Sequence, residues 1–205
     1  MKIAVFASGS GSNFAAIVQA IQMDKIQGVD LALLVCDRPD ALVVKKATDA
    51  FIPVFSFKAK DYENKVAYEI EIIKKLKEKE IDFIVLAGYM RIVGSTLLKE
   101  FEGRIINLHP SLLPAFQGKD AIGQALDYGV KITGVTVHFV DAGMDTGPII
   151  AQRPVVIAVG ETKESLSHKI QEQEHQILPE VINWIQKGLV QLKGRKVDVY
   201  EKSFN

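Results

Sequence analysis

The sequence predicts an α/β fold: a mostly parallel sheet with helices on both faces and an appended antiparallel hairpin. Three observations predict it. Short apolar runs alternate with amphipathic stretches through the first half of the chain. Those runs are apolar throughout rather than at every second residue, which suits strands covered on both faces. Two longer strand-like runs then follow one another around residue 140.

The elements follow in order. KIAVFA (2–7) ends in Ser8-Gly9-Ser10-Gly11-Ser12-Asn13 and reads as a buried strand and a tight turn. Phe14, Ile17, Val18 and Ile21 then recur at helical spacing. LALLVC (31–36) is a second strand, and Asp37-Arg38-Pro39-Asp40 opens a helix running to about Ala50. IPVFSF (52–57) is a third strand. A longer helix over 61–80 is expected to bury Val66, Ile70, Ile73 and Leu76. DFIVLAG (82–88) and RIINL (104–108) are the fourth and fifth strands, with a short helix near 95–101 between them. KITGVTVHFV (131–140) and GPIIAQRPVVIA (147–158) are joined by a Gly/Asp loop short enough for an antiparallel hairpin. A long helix spans 162–187, with a kink expected at Pro179. LVQL (189–192) and VDVY (197–200) form a small terminal hairpin. The arrangement is Rossmann-like.

Composition narrows the function. Among 205 residues, 25 Lys and Arg balance 25 Asp and Glu, which argues against a nucleic-acid or polybasic membrane surface. Apolar residues make up 48% of the chain, enough for a real core. The single Cys36 excludes an intrachain disulfide or a Cys-rich zinc site, and its apolar run makes it a core residue. No run reaches the length of a membrane span, and the start of the chain does not read as a signal peptide. A cytoplasmic, single-domain protein over residues 1–205 is expected, with small-molecule substrates and no metal.

In open α/β sheets ligands bind outside the carboxyl ends of the strands. The unusual residues lie there. The Ser/Gly/Asn loop at 8–13 offers backbone N–H groups and a helix start to an anion such as a phosphate, although a plain strand–helix turn has the same pattern. It lacks the third glycine of a dinucleotide fingerprint and the lysine of a P-loop. Asn107 and His109 are two apart on a strand end, so they share a face. A carboxamide can donate to an oxyanion, and a histidine can move a proton near neutral pH. Asp145, in a Gly/Asp loop, is placed to favour the charged form of such a histidine, or is a solvated turn residue. His138 is read as structural. Glu174 lies on the apolar stripe Leu166–Ile170–Leu178, so it either grips a substrate or forms an ion pair. No G-x-S-x-G elbow surrounds Ser111. An Asn/His/Asp set without a nucleophile suits direct acyl transfer between two bound substrates.

These segments carry a resemblance. ASGSGSN (7–13), LAGYMRI (86–92), NLHPSLLPAFQG (107–118) and VHFVDAGMDTGPII (137–150) resemble the phosphoribosylglycinamide formyltransferases (GAR transformylases) of the folate-dependent formyltransferase family. The likeness runs over about residues 1–190. It implies a formyl transfer from 10-formyltetrahydrofolate, as co-substrate, to a glycinamide ribonucleotide in purine (IMP) biosynthesis. It implies that Asn107, His109 and Asp145 are catalytic. Gly11, Ser12 and Asn13 would bind the substrate phosphate, and Glu174 the ribonucleotide. Met90, Arg91, Ile92 and Val93 would line the pterin pocket, with Asp141, Asn107 and Lys65 also on the folate. Two residues depart from the family pattern. Gln117 stands where proline is usual, which predicts a looser loop. Lys65 replaces an arginine of some members, keeping the charge but losing the planar fork. Two rivals stay open: hydrolysis of formyltetrahydrofolate, and a nucleotide-binding regulatory module without chemistry. Monomer and homodimer both remain possible.

Overall fold

The computed structural model describes residues 1–200. They form two compact units, Met1–Asn107 and Leu108 onward. The fold is α/β, with a seven-strand, mostly parallel sheet in the order β3-β2-β1-β4-β5-β6-β7 and a separate two-strand hairpin. Strand β5 (Ile105–His109) contributes residues to both units.

In the first unit, β1 (Lys2–Phe6) lies between β2 (Asp30–Cys36) and β4 (Phe83–Leu86), parallel to both. β3 (Val54–Ser56) pairs with β2, and β5 with β4, also in parallel. The chain direction of strand order reverses at β1/β4, the position where α/β sheets open a crevice. Ile3 to Phe6, Leu34 to Cys36, Ile84 and Val85 are wholly buried. Full burial of each large apolar side chain contributes about 1.5–3 kcal/mol, which is why these strands carry no polar alternation. Cys36 lies in this core, as expected.

Three boundaries differ from the sequence reading, each for a local reason. β3 begins only at Val54, because Pro53 has no N–H to give the ladder. The second helix, α2 (Leu42–Asp49), starts five residues after Asp37, whose carboxylate is taken by Ser8 and Arg91. Helix α3 spans Lys65–Glu78, started by the Asn64 side chain accepting from the Ala67 N–H. Its buried face also differs. Tyr68, Glu69, Ile72 and Leu76 face inward, whereas Val66 and Ile70 are 49% and 57% exposed. The Tyr68 ring packs on Phe57 and Tyr62, and Glu69 bonds the backbone around α4 (Ser95–Glu100). Those partners set the helix's roll.

In the second unit, β6 (Ile132–Phe139) and β7 (Ile149–Val156) form the expected antiparallel hairpin, with a register shift at Val137/His138. Gly134 is required there, since a Cβ would sit 2.1 Å from the Arg153 carbonyl oxygen. An eight-residue helix, α5 (Ala121–Tyr128), was not anticipated. It is capped by Asp120 at its start and by left-handed Gly129 at its end. α6 (Lys163–Gln186) opens with a Thr162/Ser165 capping box and continues through the buried Pro179. β8 (Val190–Lys193) and β9 (Lys196–Val199) make the terminal hairpin. Among the described residues no helix is long and apolar enough to cross a membrane.

The corrected face of α3 gives a direct test. Ile72→Ala should lower unfolding free energy by about 2–5 kcal/mol, and Ile70→Ala by less than about 1 kcal/mol. Urea titrations of the two variants check this; equal losses would contradict the assignment.

Candidate active site

The first unit presents two loops at adjacent strand ends. After β1, the chain turns through Gly11, whose φ of 71° is left-handed. A Cβ there would meet Val43 Cγ2 at 2.6 Å, so the close approach of α2 demands glycine. Helix α1 (Ser12–Gln22) starts immediately afterwards, and no side chain caps it at Gly11. Ser12 and Asn13, both half-buried, form its first turn. Backbone N–H groups and the positive helix end therefore share this turn.

After β4, Gly88-Tyr89-Met90-Arg91-Ile92-Val93 leads to α4. The β1 and β4 loops are bonded together: Ser8 N donates to Gly88 O (3.1 Å), and Met90 N to Ser8 Oγ (2.9 Å). Met90 and Ile92 expose their side chains, whereas Val93 is buried. Lys65 does not project free of this loop. Its Nζ donates to Ile92 O at 3.0 Å. Asn107, half-buried, stands two residues before His109 on β5, as the spacing requires.

The second unit brings His109 and Asp145 together. His109 is 4% exposed. Its Nε2 lies 2.9 Å from Phe116 O, and its Nδ1 is 3.4 Å from Asp145 Oδ2. A carbonyl only accepts, so Nε2 carries a hydrogen. A proton on Nδ1 then faces the carboxylate, and the charged ring has an acceptor on each side. Asp145, in a left-handed backbone conformation (φ 55°), also accepts from Gly118 N at 2.8 Å. Its carbonyl accepts from Gln117 Nε2 at 3.1 Å. Gln117 thus ties its own loop to that of Asp145, which counters the loosening expected from the missing proline.

The His109 loop is fixed from the hairpin. Thr136 Oγ1 donates to Ser111 O (2.6 Å) and accepts from Leu113 N (3.1 Å) and Gln152 Nε2 (3.0 Å). Ser111, fully buried, spends its hydroxyl on Ala115 O, in keeping with a residue that is no nucleophile. Leu113–Pro114 is cis. Asp141 accepts from Gly143 N (3.0 Å) and Thr146 Oγ1 (2.7 Å), and so shapes the 141–147 loop itself. Arg195, at the tip of the β8–β9 hairpin, donates to Thr146 O at 2.8 Å. Glu174 is half-buried on α6 between the buried Ile170 and Leu178, where the apolar stripe placed it.

Sequence reasoning missed four contributors. Phe116 acts through its backbone, which no side-chain motif reveals. His138, read as structural, is buried with Nε2 3.8 Å from Asp145 Oδ1, while Nδ1 donates to Phe139 O at 2.8 Å. Its position after a register shift was invisible in the strand pattern. Asp37 and Glu69 were passed over because carboxylates in loops and helices are usually solvated.

The family model for formyl transferases matches residues 1–182. The chain belongs to the formyl transferase family. Among similar proteins, the phosphoribosylglycinamide formyltransferase of Bacillus subtilis (strain 168) is 53% identical over 181 residues, covering 88% of this chain and 92% of the relative. The crystal structure of glycinamide ribonucleotide transformylase 1 from Symbiobacterium toebii superposes with a TM-score of 0.95 at 39% identity, over 98% of this chain and 94% of that one. That of glycinamide ribonucleotide transformylase 1 from Geobacillus kaustophilus gives 0.88 at 55% identity, over 90% and 98%. This formyl transferase therefore keeps the fold of its relatives across nearly its whole length.

Burial pushes the His138 imidazole below the ordinary histidine value of 6.5, outweighing the Phe139 carbonyl and Asp145, which act in the other direction. The unfolded chain then binds a proton that the folded chain refuses, so this ring removes stability as pH falls through about 6.5. His138→Gln should flatten the fall in unfolding free energy between about pH 7 and 5. Denaturant titrations across that range check it; an unchanged slope would contradict the assignment.

Proposed function

We propose that Asn107, His109 and Asp145 carry out a direct formyl transfer from 10-formyltetrahydrofolate to the amine of a phosphoribosylated glycinamide. The activity of the chain is phosphoribosylglycinamide formyl transfer in de novo purine biosynthesis. The assignment of groups is our reading. The observation that carries it is the His109 ring lying between Phe116 O and the Asp145 carboxylate.

In this reading the amine nitrogen attacks the formyl carbon. A C–N bond forms and the carbonyl π pair moves to oxygen. The Asn107 carboxamide donates to that oxyanion, and the charged His109 ring stabilises it. Asp145 accepts from His109 Nδ1–H and so favours the charged ring. The proton lost by the amine passes, through Asp145 and a water, to the departing folate nitrogen, whose bond to the formyl carbon breaks. Tetrahydrofolate and the formylated glycinamide leave. No covalent enzyme intermediate is needed, and the nearby Ser111 spends its hydroxyl on Ala115 O.

The remaining roles follow the strand ends. Gly11, Ser12 and Asn13 hold the ribonucleotide phosphate at the start of α1, and Glu174 contacts the same substrate. Met90, Arg91, Ile92 and Val93, with Asn107 and Asp141, bind the folate. Lys65 supports the folate through the Ile92 carbonyl. Residues 1–205 act as one formyltransferase domain, in the cytoplasm, as a monomer or homodimer, without nucleic acid, membrane or metal.

A coupled assay with glycinamide ribonucleotide and 10-formyltetrahydrofolate, following the folate absorbance, tests these roles. Asn107→Ala should lower kcat by about 10²–10³ with the ribonucleotide KM nearly unchanged. Near-wild-type turnover would refute the oxyanion role. Ser12→Ala and Asn13→Ala should raise the ribonucleotide KM and leave the folate KM in place; a rise in the folate KM alone would remove them from the phosphate. Formate release without the amine would favour hydrolysis instead.

A further inference from the structure

The described chain buries two acidic residues outright, Asp37 (7% exposed) and Glu69 (2%). Neither belongs to the set that the reaction uses. A buried carboxylate is costly unless hydrogen bonds compensate it, so its partners show what it is for. Both carboxylates bear on the loop carrying Met90 to Val93: Asp37 through the Ser8 and Arg91 side chains, Glu69 through the Gly94 and Leu97 N–H groups at its end.

At the start of that loop, Asp37 Oδ1 accepts from Ser8 Oγ at 2.5 Å and Oδ2 from Arg91 Nε at 2.8 Å. The Ser8 oxygen accepts in turn from Met90 N. The Arg91 guanidinium also lies 5.8 Å from the centre of the Tyr68 ring. At the other end, Glu69 Oε1 accepts from Gly94 N at 2.6 Å and Oε2 from Leu97 N at 3.3 Å. Gly94 is packed so closely here that a Cβ would lie 2.7 Å from Glu69 Oε2 and from Lys65 Cδ. Between these ends, Met90 is 67% and Ile92 57% exposed, so their side chains do little to anchor the backbone. The two carboxylates fix the loop at its ends, while buried Val93 and the Lys65 bond to Ile92 O hold its middle.

We propose that Asp37, acting with Ser8, and Glu69 are positioning residues for the formyl-donor site. They hold the Met90–Val93 backbone in the conformation that accepts the pterin, without touching it. The proposal rests on the assignment of Met90–Val93 to folate made above. Asn at 37 would turn an amide N–H₂ toward the Ser8 or Arg91 donors, and Ser8→Ala would strip Met90 N of its acceptor. Gln at 69 would likewise put donor against donor at Gly94 or Leu97.

The test has two arms. Amide hydrogen exchange of the wild-type protein, with and without tetrahydrofolate, reports whether folate protects residues 90–94. Absence of protection overturns the folate assignment of this loop, and this proposal with it. Given protection, steady-state kinetics of Ser8→Ala, Asp37→Asn and Glu69→Gln decide the positioning role. A KM for 10-formyltetrahydrofolate raised about tenfold or more is expected, with the ribonucleotide KM unchanged and kcat within about threefold. The Met90 and Gly94 amides should also exchange faster in these variants. Variants that bind folate as the wild type does, or that lose both KM values and kcat together, overturn the proposal. The two ends are independent, so if one substitution prevents folding the other still decides.

Discussion

The imidazole of His109 sits between an acceptor that cannot change, the Phe116 carbonyl, and one whose charge matters, the Asp145 carboxylate. Much of the second unit serves that arrangement. The carbonyl is available because the 110–116 segment doubles back, held by Thr136 and Gln152 of the hairpin. The carboxylate is available because the 141–147 loop is tied from three sides: by Asp141 within, by Gln117 and Gly118 from the His109 loop, and by Arg195 from the terminal hairpin. Both ring nitrogens face acceptors, so a proton arriving at Nδ1 is stabilised without any rearrangement. The acceptors are in place around the ring without any substrate bound.

The first unit uses the same device differently. Its parallel strands are sealed on both faces, so polar groups collect at the strand ends, where neighbouring loops compete for donors and acceptors. Asp37 and Glu69 settle that competition in favour of one loop geometry. Buried carboxylates at the margin of the sheet thereby hold the segment that carries the exposed, apolar Met90 and Ile92.

Much of this was legible in the sequence, and for physical reasons. Short apolar runs such as KIAVFA and DFIVLAG, bounded by turn residues, fit strands buried on both faces, which they are. The alternation Asn107–His109 fixes a shared side of β5. Glu174 on an apolar stripe was out of place enough to be noticed. What escaped depended on contacts between distant segments. The roll of α3 is decided by aromatic packing at Tyr68 and by the backbone that Glu69 must satisfy, not by counting apolar residues. Helix α5 is only eight residues long and has Gly123 inside it, so periodicity over 121–128 carried little signal. The departures at Gln117 and Lys65 read as losses in sequence. In the fold each amide or amine has found a backbone carbonyl.

The most direct measurement is the nitrogen-15 NMR spectrum of the His109 ring in protein labelled at histidine, with His109→Gln for assignment. The account predicts that the neutral ring bears its hydrogen on Nε2, because only an N–H can bond the Phe116 carbonyl, leaving Nδ1 as the nitrogen that faces Asp145. A neutral ring with bare Nε2 and hydrogen on Nδ1 would contradict it.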